Sequence, residues 1–470
     1  MSLPNTRIGA DGIAARLAGK KKLWFIGIGG VHMAAMARYA ARLGFAVAGS
    51  DRVANERTRQ LSEVGIPVFF GHDAARIVDR DAVIYTLAIS KDNPEYAAAL
   101  RLGIPLFSRA DFLSYLMRSY PNRIGVAGSH GKSTVTAMLA EIYLAAGRAP
   151  TVFCGAPLRY EADMLLREGG TDVIFEACEY NGSFLCFRPT LAVLLNADHD
   201  HADYYRSREE IEAAFSDYAA LPGEAGTVLY NREDAASLRC IGSSLARRVS
   251  FGIGSGDFQA RLQGFSYGCG RFIPVLPDQR TLGEIRLRVP GRHNVGNAMA
   301  AVAAAHLQGI PEDAIVHGLS QFRGVGRRME YRGMLGGALL YDDYAHHPRE
   351  IAATLQTARE IAGRGRLLAV FQSHTYSRTA AFFAEICAAL RLADIVWIAP
   401  IYPARETDDL GMSAEALAVG VGERARACAH IGEIADAVGR AALPGDLVVV
   451  MGAGDIDRIF ADFYGKHFTI

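Results

Sequence analysis

One local pattern recurs along the chain: a short, almost wholly apolar run, a break rich in glycine or polar residues, and then a helical stretch. LWFIGIGG, FAVAGSD, IPVFFGH and DAVIYTLAIS come first; IGVAG, DVIFEA and TLAVLLN begin near residue 123; GALLYDDY, RLLAVFQ, DIVWIAP and DLVVVMGAG follow Gly326. A strand with one wet face alternates polar and apolar residues, and these runs do not. Strands lacking polar positions and separated by helices belong to parallel sheets covered on both faces. The pattern therefore predicts an α/β chain of three segments, 1–122, 123–325 and 326–470, and its 470 residues suit about three domains of ordinary size. Helices are expected over 33–43, from Ser133 onward, and in the alanine-rich stretch after PGRHN.

Composition narrows the partners. Fifty basic residues balance fifty acidic ones, so no overall positive field points to nucleic acid. No stretch approaches the ~20 apolar residues of a membrane span. Lys20 to Lys22 followed by LWFIGIGG resembles the start of a signal peptide, but three glycines interrupt the apolar run and a folded unit continues beyond it. The seven scattered cysteines contain no CxxC pair and read as reduced thiols of a cytoplasmic protein. Lysine occurs only at positions 20, 21, 22, 91, 132 and 466, whereas 44 of the 50 basic residues are arginine. The placement of Lys132 is accordingly informative.

Lys132 lies in GVAGSHGKST, residues 125–134, after a strand and at the start of a helix. Such a turn surrounds a polyphosphate with backbone N–H groups, while the lysine adds a cation and Ser133 a hydroxyl for Mg²⁺. Val126 stands where the strict phosphate-loop spacing has its first glycine, so the match is to the variant GxxGSxGKS. FEACEY and NADHDHADYY end two further strands. In a parallel sheet those ends face the crevice of the phosphate loop, where Glu176 and a histidine could hold a divalent ion. The bland reading of the second motif is a polar loop with solvated histidines. GIGGVH, residues 27–32, with Asp51 ending the next strand, is a weak dinucleotide-like fingerprint because His32 replaces the third glycine. DDYAHHP and FQSHTYSRT each follow a strand; their tyrosine, histidines and Arg378 suit a small carboxylate, which arginine grips bidentately. Structural caps are the alternative there.

Taken in order, GIGG, DNPE, GSHGKST, EACEY, DHADYY, GRHNVGN, GRRME, DDYAHHP and HTYSRT make the chain resemble the Mur ligase family over essentially its whole length. The resemblance implies a Rossmann-like UDP-binding domain, a P-loop-type central ATPase domain and a Rossmann-like C-terminal domain. It implies ATP as a substrate with Mg²⁺ or Mn²⁺, and, in the branch that adds the first amino acid of the peptidoglycan stem peptide, UDP-N-acetylmuramate and L-alanine as partners. A homodimer is compatible with it. By position, Gly128, Ser129, His130, Gly131, Lys132, Ser133 and Thr134 resemble the ATP loop, and Asn294 and Asn297 the adenine-facing asparagines. Glu176 and His201, with Ser133, match metal ligands, leaving His199 as an extra residue. Arg327 and Asp342 match residues that close onto ATP; Tyr344, His346, His374 and Arg378 match the amino-acid pocket. Gly29, Gly30, Asp51 and His72 lie in segments that bind the UDP-sugar.

Departures are His32 and Ala34 in the first glycine turn, and Ser373 and Pro403, which replace a proline and an alanine. His32 is expected to face the diphosphate, with a protonated imidazole compensating for the missing small residue; the alternative is a ring that points to solvent or packs on the next loop. Several sister ligases position a metal with a carbamylated lysine some fifteen residues after the metal histidine; here that region holds Phe215 and Ser216, and no lysine occurs from 133 to 465. HTYSRT distinguishes the chain from the related ligase that recycles a whole tripeptide. That ligase, a catalytically silent sugar-nucleotide-binding homologue, and a nicotinamide oxidoreductase built on GIGG and Asp51 are the competing readings. The last leaves GSHGKST unexplained.

Overall fold

The computed structural model describes residues 3–156, 170–201, 204–404, 406–407 and 409–466. Backbone contacts gather them into two compact units. The first comprises Met1–Asp198, Glu209–Asp257 and Ala300–Gly318; the second comprises His199–Arg208, Phe258–Met299 and Leu319–Ile470.

The first unit holds two parallel sheets. β1 (Lys22–Ile26), β2 (Ala46–Asp51), β3 (Val68–Phe70), β4 (Ala82–Tyr85) and β5 (Leu106–Ser108) are ordered β3-β2-β1-β4-β5. All neighbours are parallel. β1 and β4 are buried on both faces, as their continuous apolar runs require. β3 is the edge strand: only three residues of IPVFFGH pair, and Phe69 and Phe70 are exposed. The second set is β6 (Asn122–Ala127), β7 (Thr151–Phe153), β8 (Asp172–Glu176), β9 (Leu191–Leu194), β10 (Thr227–Asn231) and β11 (Arg247–Gly252), with β6 between β8 and β9. The first segment read from the sequence and much of the second share one unit, and buried polar bridges join them. The Tyr120 hydroxyl lies 2.8 Å from Thr151 Oγ1, and Asn181 Nδ2 donates to the Leu3 carbonyl at 2.8 Å.

The second unit contains an antiparallel ribbon, β12 (Phe258–Ser266), β13 (Cys269–Val275) and β14 (Ile285–Pro290), and a sheet ordered β15-β16-β20-β17-β18-β19. The sheet's strands are β15 (Glu330–Leu335), β16 (Ala338–Asp343), β17 (Leu367–His374), β18 (Ile395–Tyr402), β19 (Ala425–Ala427) and β20 (Leu447–Met451). β15 is antiparallel to β16 and the rest are parallel. The ribbon lies outside the apolar runs from which parallel strands were expected. Its sequence alternates instead: Ile285, Leu287 and Val289 point inward while Arg286 and Arg288 face water, the signature of a one-sided sheet.

The two parallel arrangements of the first unit share one topological device. β1 lies between β2 and β4, and β6 between β8 and β9. Each is a point where neighbouring connections leave in opposite directions, opening a crevice at the carboxyl ends of the strands.

Candidate active site

Helix Val31–Arg42 follows β1 through GIGG. Gly27 turns with φ +78°, and the Gly29 amide donates to Asp51 Oδ2 at 2.7 Å. A Cβ on Gly29 would stand 2.7 Å from Thr58 and 2.8 Å from Asn55, so only glycine fits beside the end of β2. Gly30 caps the helix. The neighbouring polar cluster is buried: Ser50 Oγ donates to Glu95 Oε2 at 2.5 Å, and His72 Nδ1 lies 3.0 Å from Ser50 Oγ and 3.3 Å from Glu95. This explains DNPE. Asn93 caps helix Pro94–Leu102, proline occupies its first turn, and Glu95 points back into the cluster. His32 is not the charged residue expected. Burial, with Arg109 nearby, lowers its pKa to about 3, and its Nε2 is enclosed without a hydrogen-bond partner. The ring is neutral because a cation there would lose its hydration and face a second cation.

The loop after β6 opens helix Lys132–Ala145. Gly128 has φ +146° and Gly131 φ +88°; a Cβ on Gly128 would stand 2.9 Å from Leu195 and 3.2 Å from the Asn196 amide nitrogen. The loop is braced from the end of β9. The His130 amide donates to Asn196 Oδ1 at 2.8 Å, Asn196 Nδ2 returns a bond to the His130 carbonyl at 3.1 Å, and Ser129 Oγ exchanges bonds with the Asp198 backbone. Lys132 Nζ donates to Gly128 O at 2.5 Å, Ser129 O at 3.1 Å, and Glu179 Oε2 and Oε1 at 2.9 and 3.1 Å. Burial opposes its charge, yet Glu179, with Cys178 and Glu176 behind it, holds its pKa above the ordinary lysine value. Glu176, at the end of β8, accepts from the Gly155 amide and lies 3.2 Å from Cys154 Sγ. Partly exposed Ser133 and buried Thr134 follow Lys132 into the helix. The Ser133 hydroxyl and the Glu176 carboxylate are hard oxygen donors of the kind that Mg²⁺ or Mn²⁺ takes.

The remaining candidates belong to the second unit. His199 Nε2 lies 3.0 Å from the Tyr205 carbonyl and its ring packs edge-on against Phe382. His201, at φ +56°, keeps a partly exposed ring whose Nε2 is 3.9 Å from Asp200 Oδ2. Ala202 and Asp203 of DHADYY lie outside the described residues. At the start of helix Arg292–Leu307, Asn294 donates to the Pro290 carbonyl at 2.7 Å and accepts from Asn297 at 3.0 Å. Arg327 spans the ends of two strands: it donates to Gly452 O at 2.6 Å, reaches Asp342 at 3.4 Å and stacks on the Tyr344 ring. Asp342 is buried, which lifts its pKa to about 7 despite that arginine.

Beyond β16 and β17 the aromatic rings form a chain. Tyr344 meets His346, His346 meets His374, and His374 stacks on Tyr402, with centroids 5.5, 6.0 and 5.6 Å apart. Burial lowers His346 to about 3 and His374 to about 4, so both rings are neutral. Arg378, expected to be an open grip for a carboxylate, already has an internal one: it donates to Asp200 Oδ1 at 2.8 Å, and to His374 Nδ1 at 3.3 Å. Thr375 between them adopts φ +68°, a strained value for a β-branched residue. The sequence reading named neither Asp200's contact nor Asn196, and from EACEY it drew only Glu176. The signal available was position: each follows a strand flanking a switch point.

Comparison with known proteins adds a consistent picture. Three domain families match successive stretches: "Mur ligase family, catalytic domain" at residues 22–121, "Mur ligase middle domain" at 126–305, and "Mur ligase, glutamate ligase domain" at 327–454. A UDP-N-acetylmuramate–L-alanine ligase of Caldicellulosiruptor bescii is 39% identical over 93% of this chain and 97% of its own length. The crystal structure of UDP-N-acetylmuramate–alanine ligase from Thermotoga maritima superposes with a TM-score of 0.79 at 28% identity, covering 95% of this chain and 98% of that one. A murein peptide ligase from Psychrobacter arcticus shares the fold, with a TM-score of 0.72 at 24% identity over 95% of this chain and 99% of that chain.

Proposed function

The chain belongs to the Mur ligase family, and from that premise we propose that it joins L-alanine to the lactyl carboxylate of UDP-N-acetylmuramate, with ATP cleaved to ADP and phosphate. One observation carries the reading: near full-length similarity to an alanine-adding ligase, within which the Lys132 loop is intact and braced. The tripeptide-recycling ligase is the weaker reading because HTYSRT follows the alanine-adding pattern.

The chemistry has two stages. The lactyl carboxylate attacks the γ-phosphorus of ATP, ADP leaves, and an acyl phosphate results. The deprotonated amine of alanine then attacks the acyl carbon, and phosphate departs from the tetrahedral intermediate. We assign residues 1–122 to the UDP-sugar, 123–325 to ATP and 326–470 to the amino acid. Lys132 and the loop amides neutralise and orient the phosphates, contributing through fixed charge rather than covalent chemistry. Ser133, Glu176 and His201 are the residues we assign to Mg²⁺, which when bound would offset the negative charge of the transferring phosphoryl group. Asn294 and Asn297 are assigned to adenine, Arg327 and Asp342 to the closing of the ATP site, and Tyr344, His346, His374 and Arg378 to alanine. Gly29, Gly30, His32, Asp51 and His72 are assigned to the sugar nucleotide. We assign the reaction to the cytoplasm, where ATP is supplied. Among the described residues no helix is long and apolar enough to cross a membrane.

The test is an incubation of the protein with ATP, Mg²⁺, UDP-N-acetylmuramate and each of L-alanine, glycine, L-serine and the L-alanyl-γ-D-glutamyl-diaminopimelate tripeptide. ADP release and the coupled sugar nucleotide are both followed. Alanine should give the largest kcat/KM. Preference for the tripeptide would establish the recycling reading instead, and no turnover with any acceptor would establish the silent one.

A further inference from the structure

Lys132 carries three N–H donors, and its ammonium has four oxygen acceptors within 3.1 Å: two loop carbonyls and both oxygens of Glu179. None of its donors is left over for a phosphate. Glu179 is wholly enclosed and Lys132 nearly so, with side chains 0% and 15% exposed. Two of the acceptors, the Gly128 and Ser129 carbonyls, are part of the loop that cradles phosphate, so the ammonium is folded back onto its own turn. Glu179 supplies the only carboxylate within hydrogen-bond reach of it among the described residues.

We infer that Glu179 is a parking residue for Lys132, holding the ammonium away from the nucleotide position until phosphate displaces the carboxylate. This rests on the reading of residues 128–134 as the nucleotide's phosphate loop and adds a function to a glutamate that the loop itself does not contain. The physical basis is competition. A buried charge-assisted pair and a Lys–phosphate contact draw on the same three donors, so nucleotide binding must first break the pair. A protein mostly in the parked arrangement shows an apparent affinity reduced by the fraction that is not parked. The pair also prevents a cost: without Glu179 the empty site would hold a desolvated cation with only carbonyls around it.

The consequence has an unusual sign. Removing a group that merely supports the loop weakens ligand binding, whereas removing a competitor strengthens it. The probe is ADP in EDTA, so that no metal contributes, titrated calorimetrically into the full chain. Glu179→Gln should bind ADP about three- to tenfold more tightly than the unaltered protein, the gain expected when a state holding most of the population is lost. Glu179→Asp, which keeps the charge on a shorter arm, should fall between the two and provides the series if the glutamine variant does not fold. Glu176→Gln separates parking from simple charge: it removes a nearby carboxylate that makes no hydrogen bond to Lys132, and should tighten ADP less. Lys132→Met reads the premise independently and should bind ADP at least about tenfold more weakly. If Lys132→Met binds like the unaltered protein, the phosphate-loop reading falls. If it loses ADP but the folded glutamate variants bind no more tightly, or Glu176→Gln tightens binding equally, the loop reading stands and the parking role is overturned.

Discussion

His199 and His201 differ by two positions and by everything that decides a ligand. The His199 ring is taken up by the Tyr205 carbonyl and by Phe382, while His201 is held by its backbone and keeps its ring partly exposed. His201→Ala should therefore raise the Mg²⁺ concentration needed for half-maximal turnover and lower kcat about 10²-fold or more, the scale of a lost transition-state contact; His199→Ala should be mild in both. Steady-state rates across an Mg²⁺ series decide it, and the reverse ranking would move the metal assignment to His199. His32 offers a second measurement. With a pKa near 3 the ring is uncharged throughout the neutral range, so His32→Ala should change sugar-nucleotide affinity by the same factor at pH 6 and pH 8. A larger loss at pH 6 would mean that the bound diphosphate draws a proton onto the ring.

Among elements, the loop between β6 and its helix is the most tightly specified. Gly128 adopts a backbone conformation that L side chains avoid, and Leu195 and Asn196 occupy the space a methyl group would need. Gly128→Ala should lower the thermal midpoint and reduce ADP affinity by at least about tenfold, because strain of roughly 1–3 kcal/mol falls on the cradle itself. Normal affinity in a folded variant would show that the cradle tolerates a shift. Helix Arg208–Ala220 supports a different expectation. Phe215 packs edge-on against Phe184, and Ser216 Oγ bonds to the Glu212 carbonyl, so the segment presents no amine for carbamylation. Turnover should be the same in carbon-dioxide-depleted buffer and with added bicarbonate. Stimulation by bicarbonate would reveal a carbamate the chain's lysines do not suggest.

For the molecule as a whole, three buried neutral histidines set the response to acid. His32 and His346 are lowered to about 3 and His374 to about 4. Below the ordinary histidine pKa of about 6.5 the unfolded chain takes up protons that the folded protein excludes, so stability falls as pH drops from there toward 4. Each ring contributes on the order of 1 kcal/mol per pH unit in that window. Asp342, lifted to about 7, works in the opposite direction, as do Asp343 and Glu141, whose carboxyls burial also raises. Thermal midpoints should decline steadily from pH 6.5 to pH 5, and His346→Gln should flatten the slope. A midpoint constant over that range would mean these rings titrate in the folded state.

Strand runs such as LVVVM and VIFE announce buried parallel strands in their composition alone, and the glycines of GIGG and GSHGKST announce the turns after them, since only glycine fits those backbones. The glycine turn between β6 and its helix, the acidic strand ends and the family were legible for that reason: they depend on local chemistry at fixed spacing. The antiparallel ribbon over Phe258–Pro290 was not read, because alternating Arg and Leu at the surface resembles a polar connection until partners are known. Pairing was likewise invisible. That Glu179 takes Lys132, that Asp200 takes Arg378, and that His32 is neutral depend on residues 47, 178 and 77 positions away in the chain. A sequence fixes which charges exist. Desolvation and distance, which decide whether each is paired, free or extinguished, arise only when the chain has folded.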